Sequence, residues 1–459
     1  MCGIFITKGY SVAEHKEMSK YVSIRGLDTS VTVLFNGLVV THYRLPLQES
    51  SLKQPTFDGK NFHWLIGELY EDYNGNELIA LADMLNKDQW FRDWEGTLFT
   101  YNEKENTLKI KVDPLRKRPV WYYRGANQNK WIITNDFSFF KSIKNELFDM
   151  INLALIQRNG FSYSQLTPFV NVKSFLPGDH SVNCKTGKFN FLNLTSYNMN
   201  TRTGILNLDE IIAKQIERCT VNRIKKQTLV KQFGIYLSGG VDSTMLSKII
   251  ADNWGGPRIP AIVLWNLCTD DEKRNLDYIS KTDIFDLRQA DFGFQDLEHE
   301  VRDVIDWFYF PIDLGSVNAQ IQLAMLTTEL RNEYPDLYVI LTGDGADEFF
   351  GGYRRNRDYD SRYYDMFIEL VHYHNIRLDQ IAFKRTIEIR TPFQALPLIP
   401  YVLLMEHGHR INKKMFREIG IKFFGIPRKQ KKIKKYPLKI LPKEKIKYQR
   451  GLIHAFMES

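Results

Sequence analysis

The chain is poor in cysteine, with four in 459 residues, at Cys2, Cys184, Cys219 and Cys268. No two of them stand at a metal-ligand spacing, and no disulfide framework is visible. That scarcity fits a reducing compartment, and the cytoplasm is the expected location. Long apolar runs are absent too: none reaches the roughly 20 residues that span a bilayer, so no membrane partner is expected. The opening Met1-Cys2-Gly3-Ile4-Phe5-Ile6-Thr7-Lys8 turns polar too early for a secretory leader. There is no internal repeat, and the lysine-rich tail alone is of low complexity. What is present is an ordinary globular composition, 43% apolar and 25% charged. The length suggests two or three domains, each able to bury a core.

Charge of one sign collects at the end. The net charge is +8, yet the stretch from Lys413 to Arg450 holds fifteen Lys/Arg against Glu418 and Glu444, which leaves the remainder acidic. A basic run is either a solvated face or a site for anions. ATP phosphates are one such anion. Nucleic acid is another, so the tail keeps a nucleic-acid partner open.

The two halves differ in pattern. In the first, three pairs of short alternating segments flank turn-rich loops at 102–106, 125–129 and 185–188. Such hairpins predict an antiparallel β-sandwich with flanking helices. In the second, apolar strand candidates at 232–237, 258–265 and 337–341 alternate with helical patterns such as 319–331. That order predicts a parallel α/β sheet with crossovers. The Asn-, Thr- and Gly-rich stretch from Ser196 to Leu206 marks the boundary, giving domains 1–200 and 201–459.

Three motifs carry chemistry. Cys2 directly follows the initiator Met. If Met1 is removed, the terminal amine, with an ordinary pKa of about 7.7–8.0, can take the thiol proton, so the nucleophile carries its own base. Ser238-Gly239-Gly240-Val241-Asp242-Ser243 runs from a strand through two glycines into a helix. Glycine lets backbone N–H groups approach an anion, and the helix N-terminus favours negative charge. No Gly-Lys-Ser/Thr follows, so this is not a Walker loop. It has the form of loops that cleave ATP to AMP and pyrophosphate, with Asp242 placed to help hold Mg²⁺. Thr342-Gly343-Asp344-Gly345-Ala346-Asp347-Glu348 sets three carboxylates at the end of a strand, where a parallel sheet places its ligands. Carboxylates there suit metal binding and proton transfer.

These motifs, in this order, resemble the glutamine-hydrolysing asparagine synthetases of the B type. Shorter matches at Arg25-Gly26-Leu27-Asp28, His42-Tyr43-Arg44-Leu45, Gly67-Glu68-Leu69-Tyr70, Leu176-Pro177-Gly178 and Glu388-Ile389-Arg390-Thr391-Pro392-Phe393 extend the resemblance over nearly the whole chain. It implies a class II glutaminase domain of the N-terminal-nucleophile type, followed by an ATP-pyrophosphatase domain. Cys2 would attack the glutamine amide. Arg44, Gly67, Glu68 and Glu77 would hold glutamine, with Arg44 on its α-carboxylate. In the second domain aspartate would attack ATP, form an acyl-adenylate and receive ammonia. Ser238, Gly239, Gly240, Asp242, Ser243 and Gly343 would hold the phosphates, and backbone groups at Val263 and Leu264 the adenine. Asp344 would assist ammonia, Asp242 and Asp347 would hold Mg²⁺, and Lys429, or Lys431 in its place, would balance phosphate charge. The resemblance also admits a homodimer.

Four departures bear on this. Ile66 stands where the family has an asparagine that donates to the oxyanion, a donor worth about 10²–10³ in rate. Glu77 replaces an aspartate, Leu27 a proline, and Asp344 a glutamate. They predict a weakened glutaminase with free ammonia as the other donor. Two alternatives to asparagine formation stand beside it: an amidoligase acting on a nucleotide-borne, nucleic-acid-borne or peptide carboxylate, and a degenerate binding protein without catalysis.

Overall fold

The computed structural model describes residues 2–34, 37–45, 47, 54–125, 129–143, 148–159, 164–193, 207–226, 232–265, 268–290, 314–353 and 361–427. The expected boundary at 196–206 lies outside them, as do Lys429, Lys431 and the rest of the basic tail from 428 onward.

The first half contains β1 (Gly3–Lys8), β2 (Asp28–Leu34), β3 (Leu38–Arg44), β4 (Thr56–Phe57), β5 (Asn61–Leu69), β6 (Trp94–Asn102), β7 (Thr107–Val112), β8 (Trp121–Arg124), β9 (Trp131–Thr134), β10 (Val172–Ser174), β11 (Gly178–Asn183) and β12 (Lys188–Asn193). They form two six-stranded sheets, ordered β10-β8-β9-β1-β3-β2 and β12-β11-β7-β6-β5-β4. Pairing within each sheet is antiparallel, and the three expected hairpins are β6–β7, β8–β9 and β11–β12. Alternation along the pleat sets which side chains meet. Ile4, Ile6, Leu38 and Val40 of the first sheet pack on Trp64, Ile66, Phe99 and Ile110 of the second, all buried. Each such side chain is worth about 1.5–3 kcal/mol when fully buried. This is the expected sandwich.

The second half is built on β13 (Phe233–Tyr236), β14 (Ile259–Leu264), β15 (Phe285–Ala290), β16 (Val339–Leu341) and β17 (Glu388–Arg390). All pair in parallel, in the order β15-β14-β13-β16-β17. Helices Val241–Asn253, Asp270–Ser280 and Leu314–Glu333 lie between successive strands. Three of the five strands match the sequence expectation. β15 and β17 carry Asp, Arg, Gln and Glu, so no apolar run announces them. Their register comes from the neighbours they extend.

Buried ion pairs join the halves. Arg25 Nη2 lies 2.9 Å from Asp379 Oδ2, with both side chains fully enclosed. Glu95 pairs with Lys117 at 3.0 Å and Arg118 at 2.8 Å, and Arg118 also donates to the Ile389 carbonyl at 3.2 Å. Burying a charge is tolerable only when it is paired and hydrogen-bonded, which this cluster achieves. Among the described residues no helix is long and apolar enough to cross a membrane.

Candidate active site

The first group of predicted residues gathers at one end of the sandwich. β1 and β3 pair Gly3 with Tyr43, so one step further Cys2 falls opposite Arg44. Asn135 clamps this strand end, accepting from the Ile4 N–H at 2.9 Å and donating to the Cys2 carbonyl at 3.0 Å. By pleat parity Cys2 shares the inward face with Ile4 and Ile6. On the facing sheet, Ile66 and Glu68 share the inward face with Trp64. Ile66 is fully buried in the core against which Cys2 packs. An apolar side chain therefore fills the place where the resemblance looks for a donor.

Gly67 is held by a close crossing. Its φ is +144°, and a Cβ there would sit 1.9 Å from the Glu95 carbonyl oxygen. Glu77 opens the helix Glu77–Asn86, behind the N-cap Asn76. Its Oε1 accepts from the Leu69 N–H at 2.9 Å. Glu68 and Glu77 are thus brought together beside Cys2, but Lys226 already stands between them. Its Nζ is 2.9 Å from Glu77 Oε1 and 3.6 Å from Glu68 Oε2. Burial pushes the Glu68 carboxyl up to about 7, with Lys226 opposing and Glu388 and Glu77 adding to the rise. Burial also pushes the Cys2 thiol up; the terminal ammonium and a Leu45 backbone hydrogen bond oppose this, and the Glu68 and Glu388 carboxylates add to the rise.

The second group sits at the carboxyl ends of β13 and β16. Neighbouring strands depart from β13 on opposite sides, toward β14 and toward β16, and this switch point is where such sheets take ligands. Residues Ser238–Gly240 link β13 to the helix Val241–Asn253. Ser238 N–H donates to Ser243 Oγ at 3.2 Å, and Gly240 N–H to Ser238 Oγ at 3.3 Å. Asn275 Nδ2 fixes the Gly239 carbonyl at 2.7 Å. Gly239 has φ +67°, and a Cβ there would lie 2.3 Å from the Glu272 carbonyl oxygen. Val263 and Leu264 end β14 beside this loop, and the Leu264 carbonyl accepts from the Cys268 thiol at 3.2 Å.

The two loops touch. A Cβ on Gly343 would come within 3.0 Å of the Asp242 Cβ. The three carboxylates after β16 do not act as one cluster. Asp344 Oδ2 accepts from Thr342 Oγ1 at 2.5 Å, and its Oδ1 lies 3.9 Å from Arg377 Nη2. Glu348 is buried and accepts from the Tyr353 hydroxyl at 2.8 Å. Asp347 turns instead to Lys413, whose Nζ lies 2.8 Å from Asp347 Oδ1 and 2.5 Å from Asp242 Oδ2. Burial disfavours the Lys413 ammonium, but the two carboxylates outweigh it and hold its pKa above the usual lysine value. Lys413 begins the basic run of the sequence, yet it is buried rather than solvated.

Lys413, Arg377 and Lys226 were not singled out by the sequence. Lys413 offered one signal, a basic residue just ahead of the amphipathic helix Lys414–Phe424, and lysine density hid it. Among the described residues no group of three or more His, Cys, Asp or Glu can hold a metal. Asp242 and Asp347, the two carboxylates that the resemblance gives to Mg²⁺, share Lys413, and Mg²⁺ commonly needs only one or two carboxylates beside substrate phosphates and water.

Residues 228–367 match the family model described as asparagine synthase, a span containing both loops. A probable asparagine synthetase (glutamine-hydrolyzing) of Dictyostelium discoideum is 20% identical over 94% of this chain and 74% of its own length. A putative asparagine synthetase (glutamine-hydrolyzing) 1 of Methanocaldococcus jannaschii is 20% identical over 78% of this chain and 68% of its own length. The solved structure of glutamine phosphoribosylpyrophosphate amidotransferase from B. subtilis aligns with 57% of this chain and 66% of its own at 11% identity, and its TM-score of 0.28 is too low to bear on the site. The span that holds the glycine loop and the acidic loop is thus similar to asparagine synthase, and the chain as a whole is similar to these asparagine synthetases at low identity.

Proposed function

We propose that the chain is an ATP-dependent amidotransferase that converts aspartate to asparagine through an acyl-adenylate, releasing AMP and pyrophosphate. Residues 1–200 form its glutaminase-like domain and residues 201–459 its synthetase domain. The observation that carries this reading is the Lys413 bridge between Asp242 and Asp347, set directly at the Ser238–Ser243 loop.

The chemistry follows from that arrangement. The phosphates of ATP lie along the N–H groups of Gly239 and Gly240 and the hydroxyls of Ser238 and Ser243, at the head of a helix. Adenine rests against the β14 backbone at Val263 and Leu264. The acceptor carboxylate attacks the α-phosphorus, the bond to pyrophosphate breaks, and Lys413 meets the charge that grows on the leaving group. Asp242 and Asp347 would hold Mg²⁺, which supplies further neutralisation of that charge. Ammonia then attacks the acyl carbon and AMP leaves. Asp344 takes the proton that the attacking nitrogen sheds, a role open to a carboxylate within reach. Arg377 Nη2, 3.9 Å from Asp344 Oδ1, orients it for this role. Lys429 lies outside the described residues, and Lys413 takes over the phosphate-balancing role first assigned to it.

The test is turnover with ATP, Mg²⁺, aspartate and ammonium, read by mass spectrometry. Asparagine and AMP should appear in equal amounts. Asp242→Asn and Asp344→Ala should abolish or nearly abolish the product. Formation of ADP and phosphate, or normal rates in both variants, would refute the assignment.

A further inference from the structure

Glu68 and Glu77 stand together near Cys2, and their charges suit the ammonium of a free amino acid. The resemblance assigns a carboxylate to Arg44, and Glu68 and Glu77 offer two carboxylates for an ammonium. An ammonium is already there. Lys226 follows the helix Leu208–Lys225 and enters the pocket from the second half of the molecule. It lies 2.9 Å from Glu77 and 3.6 Å from Glu68, and its Nζ is 5.4 Å from the centroid of the Tyr73 ring. Lys226 is mostly buried, with 12% of its side chain exposed, and each carboxylate keeps 19%. Glu68 is also 3.8 Å from Arg390 Nη2, so its charge is met from two sides.

A second observation points the same way. Ile66 lies one pleat step from Glu68 on the same inward face and is buried against the core that Cys2 touches. A tetrahedral intermediate at a Cys2 thioester needs hydrogen-bond donors aimed at its oxyanion. A sec-butyl side chain gives none, and in a dry pocket it disfavours the developing charge. Burial also raises the Cys2 thiol, while the terminal ammonium and a Leu45 backbone contact oppose the rise. The pocket thus keeps the amino-acid frame while its ammonium subsite is filled and its oxyanion side is apolar.

We propose that Lys226 is the built-in occupant of the ammonium subsite beside Cys2, that it excludes glutamine, and that the nitrogen donor of this enzyme is free ammonia. This rests on the amidotransferase reading for the fate of the ammonia, but not for the state of the pocket.

The experiment uses the full chain and two independent readouts. Glutamate release from glutamine is measured without ATP. Nitrogen source is measured with ¹⁵N-ammonium against amide-¹⁵N-glutamine in the complete reaction. Wild type should release no glutamate above background, and its product should carry label from ammonium alone. The double variant K226A/I66N should release glutamate at least tenfold faster than wild type, and adding Cys2→Ala should remove the gain. K226M/I66N, which keeps the apolar stem, guards against a variant that fails to fold, and melting temperatures report on both. Cys2-dependent glutamate release by wild type would overturn the proposal. So would a lack of gain in a double variant that melts with wild type. Absence of AMP with every donor would instead count against the amidotransferase reading, because glutamate release does not depend on ATP.

Discussion

Replacing Lys413 by Met keeps the length of the side chain and removes its charge. Lys413 is 4% exposed, and the Asp242 and Asp347 side chains it joins are 24% and 42% exposed. Breaking a fully buried pair costs about 3–5 kcal/mol. Solvent reaches both carboxylates here and screens their repulsion, so the loss of stability should be smaller, about 1–3 kcal/mol. The effect on chemistry should be larger. In the proposed reaction charge on pyrophosphate grows as it leaves, so Lys413 would act more strongly on the transition state than on bound ATP. Loss of one such contact costs about 10²–10³ in rate, and kcat should fall far more than KM for ATP rises. The variant also leaves two facing carboxylates without their lysine, so Mg²⁺ should raise its melting temperature more than that of wild type. Steady-state AMP formation by mass spectrometry gives the rates, and thermal melts with and without Mg²⁺ give the rest. If K413M keeps more than about a tenth of wild-type turnover and gains nothing from Mg²⁺, the bridge is not part of the phosphate site.

Three further outcomes can be checked. Arg25→Met should destabilise by about 1–3 kcal/mol, because enclosed Asp379 loses its 2.9 Å partner and keeps Arg118 at 3.8 Å and the Gln380 amide at 2.8 Å, and adding Asp379→Leu should recover part of the melting temperature. Gly239→Ala places a methyl group against the Glu272 carbonyl at φ +67°, so ATP-dependent turnover should fall by at least tenfold; normal ATP titration would contradict the close approach. Acid should destabilise the sandwich through two buried histidines. Burial holds His15 down to about 4 and His42 to about 3. Below about 6.5 the unfolded chain binds protons that the folded chain does not, so this stability is present above pH 6.5 and is lost as pH falls toward 4 and 3. Melting temperature against pH should show the decline, and His15→Gln, which keeps hydrogen bonds to the Thr7 and Thr41 hydroxyls available, should make it shallower.

Much of the architecture was legible because it rests on local pattern. Alternating segments and turn residues marked the three hairpins, since pleating forces a period of two wherever one face is buried. The strand into Ser238-Gly239-Gly240 was readable because position 239, at φ +67° and close against the Glu272 carbonyl, admits only glycine. By contrast β17 has three residues, two of them charged, and is a strand because β16 already offers it a ladder. The acidic loop was read as one cluster from its spacing. Folding separated it: Asp344 faces Arg377, Asp347 faces Lys413 and Glu348 turns inward to Tyr353.

The sequence by itself determined the two-half architecture, the glycine loop at Ser238–Ser243 between a strand and a helix, and the buried apolar residue at Ile66. Only the tertiary structure decided which cations serve these sites. Lys413 meets Asp242 from 171 positions away, and Lys226 meets Glu77 from 149. The reason is physical. A pleat or a glycine turn is fixed by neighbours a few residues off, and its signature stays in the local sequence. A lysine carries no mark of the carboxylate it will find, because that contact depends on packing that brings distant segments together and removes the water between them.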